Sequence, residues 1–221
     1  MEKKSVILLG ATGLVGSCLF DLLKNDEAFS EIKILVRRPL ETKHPKVKIV
    51  VIDFSNEEDF NSEMKDADVV FCAIGTTNKK MKGNQTEYRK VDFDIAVNAA
   101  RYSFESSCRQ FVLISSVGAN SKSNNFYLKL KGEVEEAILA IGFSKVSIFR
   151  PSMLMGKRKE FRLGEKIGKI FMVPISFLFP KKMRPIKACD VAKSMLKASN
   201  LDTMGVKIYE YKEMKELING K

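Results

Sequence analysis

Ser5-Val6-Ile7-Leu8-Leu9-Gly10-Ala11-Thr12-Gly13-Leu14-Val15-Gly16 sets three evenly spaced glycines directly after an apolar run and before the helical pattern Cys18-Leu19-Phe20-Asp21-Leu22-Leu23. Each glycine has a mechanical reason: a tight turn, close backbone approach to a pyrophosphate, and tight packing of helix on strand. Thr12, Leu14 and Val15 then lie where a helix N-terminus holds phosphates. A glycine trio by itself shapes many turns. Its position between strand and helix, in the first βαβ unit of the chain, is what marks a dinucleotide-binding loop.

Outward from this loop, apolar β-branched runs recur at residues 33–36, 47–52, 69–73, 111–115 and 145–149, alongside the first at 5–9. They are continuous rather than alternating, as a parallel sheet buried on both faces requires. Helical patterns at 14–24, 92–103 and 127–140 separate them, and 190–199 reads as a further helix. The expected fold is α/β: a doubly wound parallel sheet, or Rossmann fold. Its 221 residues suit one domain over 1–221. Past Arg150-Pro151 the pattern changes, and 151–221 reads as a small C-terminal, substrate-facing lobe within that domain, because about 70 residues make a marginal core alone.

The second strand ends Val36-Arg37-Arg38-Pro39, where a site for NAD places an acid on the ribose 2′-hydroxyl. Two arginines there favour a 2′-phosphate, which a guanidinium grips in bidentate fashion, so the expected cofactor is NADP(H). Asp53-Phe54 and Gly75-Thr76-Thr77 close the third and fourth strands and, by position, are cofactor contacts on the crevice side. Strand five ends Ile114-Ser115-Ser116, and Tyr127 opens the next helix with Lys131 one turn along on the same face. A tyrosine titrates near pH 10 in isolation, and an adjacent ammonium favours its phenolate, which suits proton transfer. Either serine can orient a carbonyl.

The order of glycine loop, Ser-Ser and Tyr-x-x-x-Lys resembles the short-chain dehydrogenase/reductase superfamily. Phe71-Cys72-Ala73-Ile74-Gly75-Thr76-Thr77, Lys90-Val91-Asp92, Ser115-Ser116-Val117-Gly118-Ala119, residues 126–135 and Phe149-Arg150-Pro151 resemble more narrowly its atypical branch of Tat-interacting-protein-like oxidoreductases. The resemblance covers about residues 5–160. It implies Tyr127 as acid/base, Lys131 on the nicotinamide ribose and aiding Tyr127, Ser116 or Ser115 as carbonyl orienter, and Pro151-Ser152-Met153 beside the nicotinamide. One departure stands out: many of these enzymes carry Val-Asn where this chain has Val91-Asp92, which puts the asparagine's relay in doubt.

Hydrophobic residues at 45% and charged residues at 29% speak against a disordered or multi-span membrane chain. The longest strongly apolar run, 170–179, contains Pro174 and falls far short of the roughly 20 residues that span a bilayer. Its basic flanks leave three readings: buried core, an apolar wall over the nicotinamide, or an interfacial lipid contact. The net charge of +11 comes without a nucleic-acid-binding motif and reads as a lysine-rich surface. His44 is the single histidine, and Cys18, Cys72, Cys108 and Cys189 are scattered, which argues against a metal site and a disulfide framework. Cys18 and Cys72 read as small buried hydrophobes of a cytoplasmic protein. The expected activity is reduction of a small-molecule carbonyl by NADPH, or its reverse, in a monomer or homodimer. An epimerase or dehydratase using the same site, and an NADP sensor without turnover, are the alternatives.

Overall fold

The computed structural model describes residues 3–75, 84–156 and 183–220. In chain order the elements are β1 (Lys4–Leu9), α1 (Leu14–Asn25), β2 (Phe29–Val36), β3 (Val47–Val51), α2 (Glu57–Glu63), β4 (Val69–Cys72) and α3 (Gln85–Arg89). A π-helical turn (Lys90–Asp94) runs into α4 (Ile95–Glu105), followed by β5 (Gln110–Ile114), α5 (Phe126–Ile141), β6 (Lys145–Phe149) and β7 (Leu154–Met155). Then come β8 (Ile186–Lys187), α6 (Ala188–Asn200), β9 (Gly205–Tyr209) and α7 (Tyr211–Asn219).

Seven strands form one sheet in the order β3-β2-β1-β4-β5-β6-β9, and every pairing in it is parallel. The chain steps outward from β1 in one direction through β3 and in the other through β9. That reversal opens a crevice at the carboxyl ends of β1 and β4. The continuous apolar runs are explained by two cores. Val6 and Leu8 of β1 face one side with Leu19, Leu23, Val191 and Met195 from α1 and α6. Ile7 and Leu9 face the other with Ile95, Ala99, Val134 and Ile138 from α4 and α5. All of these are buried, and each of the Val, Leu, Ile and Met side chains contributes about 1.5–3 kcal/mol.

Local chemistry sets the helix ends. Asn56, Asn84 and Asn125 cap α2, α3 and α5, each side chain accepting from the backbone N–H three residues on. Gly142, at φ +94°, ends α5 in the left-handed conformation.

Three features differ from what the sequence suggests. β9 and α7 are additional elements, as are the short α2, α3, β7 and β8: β9 alternates Val206 and Ile208 with Lys207 and Tyr209 and lies at the sheet edge, so it lacks the continuous apolar run of an inner strand. Within 151–221, the stretch from α6 onward joins the main sheet and its helical layer, β7 and β8 pair with each other, and 157–182, which contains the run 170–179, lies outside the described residues. The third is a correction. Cys18 is not an isolated buried hydrophobe, because it forms a disulfide with Cys189 that joins α1 to α6 across 171 residues of chain. Two positions so distant in sequence meet only because α1 packs along α6. Cys72 is a buried free thiol as expected, and so is Cys108.

Candidate functional site

The glycine loop is shaped by clashes that side chains would create. Gly10 has φ +84°, and a Cβ there would lie 2.5 Å from the Ala73 carbonyl oxygen on the neighbouring β4 end. A Cβ on Gly16 would meet the Gly10 oxygen at 2.0 Å. Gly13, whose N–H donates to that same oxygen at 2.9 Å, is the N-cap of α1, so the cap offers no side-chain acceptor, and the first turn holds no acid. By contrast α2 fills its N-terminus with Asn56 and three acidic residues. The N–H donors of α1 are therefore left to a ligand, and both the cradle and the favourable end of the helix dipole fit a cofactor pyrophosphate. Leu14 is half-buried against Gly156, where an added Cβ would fall 2.7 Å from Leu14 Cδ1. The β7–β8 arm thus closes on the same loop.

Arg37 and Arg38 follow β2 directly and both are exposed. Asp53 Oδ1 accepts from the Ser55 N–H at 2.9 Å and hydroxyl at 2.7 Å, which hold its carboxyl below the usual carboxylate range. Phe54 is half-buried, its ring edge-on to Phe60 at 4.9 Å, so its ring belongs to the α2 core as well as to the rim. Gly75 is exposed past the end of β4; Thr76 and Thr77 lie outside the described residues. Pro151 is buried, and its carbonyl accepts from Val117 N at 3.0 Å. The Ser152 hydroxyl donates to the Arg184 carbonyl, and exposed Met153 accepts from Ile186 N at 3.0 Å.

On α5, Tyr127, Lys131 and Glu135 recur at four-residue intervals and share one face. Lys131 Nζ lies 2.9 Å from Asp92 Oδ2 in the π-helical turn, with 6% of the lysine side chain and 0% of the aspartate side chain exposed. Burial works to lower the Lys131 ammonium, but Asp92 and Tyr127 outweigh it and hold the group above the ordinary lysine range. Tyr88 of α3 sets its ring edge-on to Tyr127 at 6.4 Å, and burial, then Asp92 and Tyr127, push its phenol up. Cys72, at the end of β4, is pushed up to about 11 by burial.

The structure separates the two serines. Ser115 is buried, and its hydroxyl donates to Glu135, which also receives the Arg150 guanidinium, with Nε at 3.0 Å from Oε1. Ser116 is half-buried, and among the described residues its hydroxyl reaches only the Val117 carbonyl at 3.4 Å, the weak end of hydrogen bonding. The loop between them and α5 lies close because position 132 is glycine: a Cβ there would meet Ser121 N at 2.2 Å. Asn120 N also donates to the Leu128 carbonyl at 3.0 Å.

Sequence reasoning singled out Tyr127, Lys131 and the serines but gave no role to Tyr88, Gly132, Glu135 or Arg150, and treated Asp92 as a departure. The interval from 127 through 131 to 135 was a readable signal for Glu135. Asp92, on a separate helix, had no such spacing cue.

A family model described as NAD(P)H-binding matches residues 10–169. Rattus norvegicus Protein HTATIP2 is 34% identical over 77% of this chain and 71% of its own length. Protein FMP52-1, mitochondrial, of Scheffersomyces stipitis is 31% identical over 96% of this chain and 98% of its own. Among solved structures, MoeE5 in complex with UDP-glucose and NAD superposes with a TM-score of 0.72 at 15% identity, covering 98% of this chain and 82% of that one. The UDP-N-acetylglucosamine 4-epimerase from Methanobrevibacter ruminantium M1 gives 0.70 at 17% identity, covering 95% and 77%. At those identities the two structures share the Rossmann fold with this chain.

Proposed function

Because the chain belongs to the NAD(P)H-binding family, we propose that it is an oxidoreductase of the short-chain dehydrogenase/reductase type that reduces a small-molecule carbonyl with NADPH, or oxidises the alcohol in reverse. The observation that carries this reading is the α5 face on which Tyr127 stands one turn before a buried, charged Lys131, while Ser115 is committed to Glu135 and Ser116 is not. When bound, the cofactor supplies the hydride. Tyr127 Oη gives its proton to the carbonyl oxygen, and Lys131 steadies the resulting phenolate and holds the nicotinamide ribose. Ser116 Oγ donates to the same carbonyl oxygen and orients it. Backbone N–H groups from Leu14 to Gly16, at the open start of α1, would hold the pyrophosphate, and Arg37 and Arg38 would take the 2′-phosphate. Pro151, Ser152 and Met153 would contact the nicotinamide, and Asp53, Phe54 and Gly75 the adenosine half, a role also proposed for Thr76 and Thr77, which lie outside the described residues. The substrate-facing part of 151–221 includes the β7–β8 arm.

Tyr127→Phe tests the chemistry: carbonyl reduction should fall by at least about 100-fold while NADPH affinity stays near wild type. Wild-type turnover by this variant would overturn the assignment. Turnover without net NADPH consumption would point to an epimerase or dehydratase instead, and binding without any turnover to a cofactor sensor. Replacing Arg37 and Arg38 with alanine should weaken NADPH about tenfold or more and leave NADH unchanged; equal losses for the two cofactors would remove the NADP preference. A cytoplasmic location is proposed with it, and fractionation that recovers the protein with mitochondria, as the name of the Scheffersomyces stipitis relative would have it, would replace it. Among the described residues no helix is long and apolar enough to cross a membrane.

A further inference from the structure

We infer that Asp92 is a positioning residue of this site, a buried counter-ion that aims the Lys131 ammonium at Tyr127 before any cofactor arrives. The inference rests on the reading of Tyr127 and Lys131 as the proton-handling pair. Its observation is separate: a carboxylate with no exposed surface, 2.9 Å from an ammonium that is itself almost wholly enclosed. An ammonium taken out of water without a partner gives up its proton, so a lysine at this depth needs an anion. Asp92 supplies it from the π-helical turn Lys90–Asp94, an inserted-residue geometry that recurs at functional sites.

Among the described residues, the surroundings leave Asp92 as the anion that does this. From α5, Tyr127 faces the ammonium, and Glu135 one turn further is held by Ser115 and Arg150. From α3 the neutral phenol of Tyr88 approaches Asp92 and Tyr127. From β4 comes Cys72, kept as a thiol by burial. The Asp92 carboxylate also lies beneath the crevice floor, since a Cβ on Gly75 would meet Oδ2 at 3.9 Å. An asparagine amide in this position could hydrogen-bond the lysine but could not balance its charge. The carboxylate therefore gives this site a different setting from an amide: Lys131 remains charged to higher pH, and its field on Tyr127 is partly cancelled.

The test is a side-chain NMR titration of isotope-labelled lysine in the full-length, cofactor-free chain, with the Lys131 resonance assigned by Lys131→Arg. In wild type Lys131 should titrate above the surface lysines. In Asp92→Asn it should titrate lower by about one pH unit or more, and Asp92→Glu should restore most of the difference. Asp92→Ser, which leaves room for water, serves as the neutral variant if asparagine does not fold. A merely structural Asp92 would leave the Lys131 titration where it was in a folded neutral variant, and that result would overturn the inference. A second arm follows the pH profile of NADPH-dependent reduction, whose alkaline limb should move to lower pH in Asp92→Asn. The NMR arm needs no turnover, so its failure counts against Asp92 alone, and failure of Tyr127→Phe counts against the reductase reading alone.

Discussion

The N-terminus of α1 and the Tyr127–Glu135 face of α5 both lie at the carboxyl ends of the parallel strands, yet they are made of opposite materials. At α1 the working parts are backbone: Gly10 and Gly16 occupy positions where a Cβ would strike a carbonyl oxygen, and the helix begins without a capping side chain or an acid. At α5 the working parts are buried charges, with Lys131 on Asp92 and Glu135 on Arg150, and the helix N-terminus is closed by Asn125. One end is fitted to hold a ligand's charge, and the other carries its own. A backbone site fails through steric overlap, whereas a buried ionic site fails by leaving one charge without its partner.

The sharpest way to break this contrast is to crowd the backbone side. Gly16→Ala puts a methyl group 2.0 Å from a carbonyl oxygen, so the loop must move; a cost of about 3 kcal/mol and loss of NADPH binding are expected. Thermal unfolding and cofactor titration read the two effects, and a variant that binds normally would show the loop to be more yielding than this packing implies.

Next comes the charged side. Arg150→Ala leaves Glu135 buried beside Ser115 and should lower stability by about 3 kcal/mol in urea unfolding at neutral pH, with much of the loss recovered by adding Glu135→Gln. Independent, additive losses would mean that the pair is not a unit.

The Cys18–Cys189 crosslink links the glycine-loop helix to α6, and reductant or Cys189→Ser should cost about 2–4 kcal/mol. An unmoved urea midpoint on reduction would show that the α1–α6 packing holds without it. In the same sample, thiol alkylation after reduction should mark exposed Cys189 and spare buried Cys72, whose thiol is pushed up to about 11.

The smallest effect is the pH dependence of the ion pair. The folded Lys131 holds its proton more tightly than the unfolded chain does, so its contribution is whole below about pH 10.4 and is lost as pH rises through the higher folded value. Wild-type stability should therefore fall more steeply in that alkaline window than that of Lys131→Met. Parallel curves for the two proteins would remove the pair from the stability of the fold.

What the amino-acid order determined alone is whatever local covalent geometry or periodicity demands. The glycine loop was legible because only glycine tolerates both φ +84° at Gly10 and the close approaches at Gly10 and Gly16; the inner strands β1, β2, β4, β5 and β6 were legible because burial on both faces writes a largely apolar run, and the edge strand β3 because valine and isoleucine dominate it. Tyr127 and Lys131 were legible because helical periodicity puts them on one face. The tertiary structure decided what depends on neighbours far along the chain: the edge strand β9, whose pattern is set by partial exposure, and the bond between Cys18 and Cys189, 171 residues apart. It also decided which of two adjacent serines keeps its hydroxyl uncommitted, since consecutive residues after a strand point in different directions and only the packing of α5 put Glu135 against Ser115. The partner of Lys131 was hidden for the same reason: a charge pair leaves no spacing in the sequence when its two members sit on different helices, and its strength comes from burial, which exists only once the chain has folded.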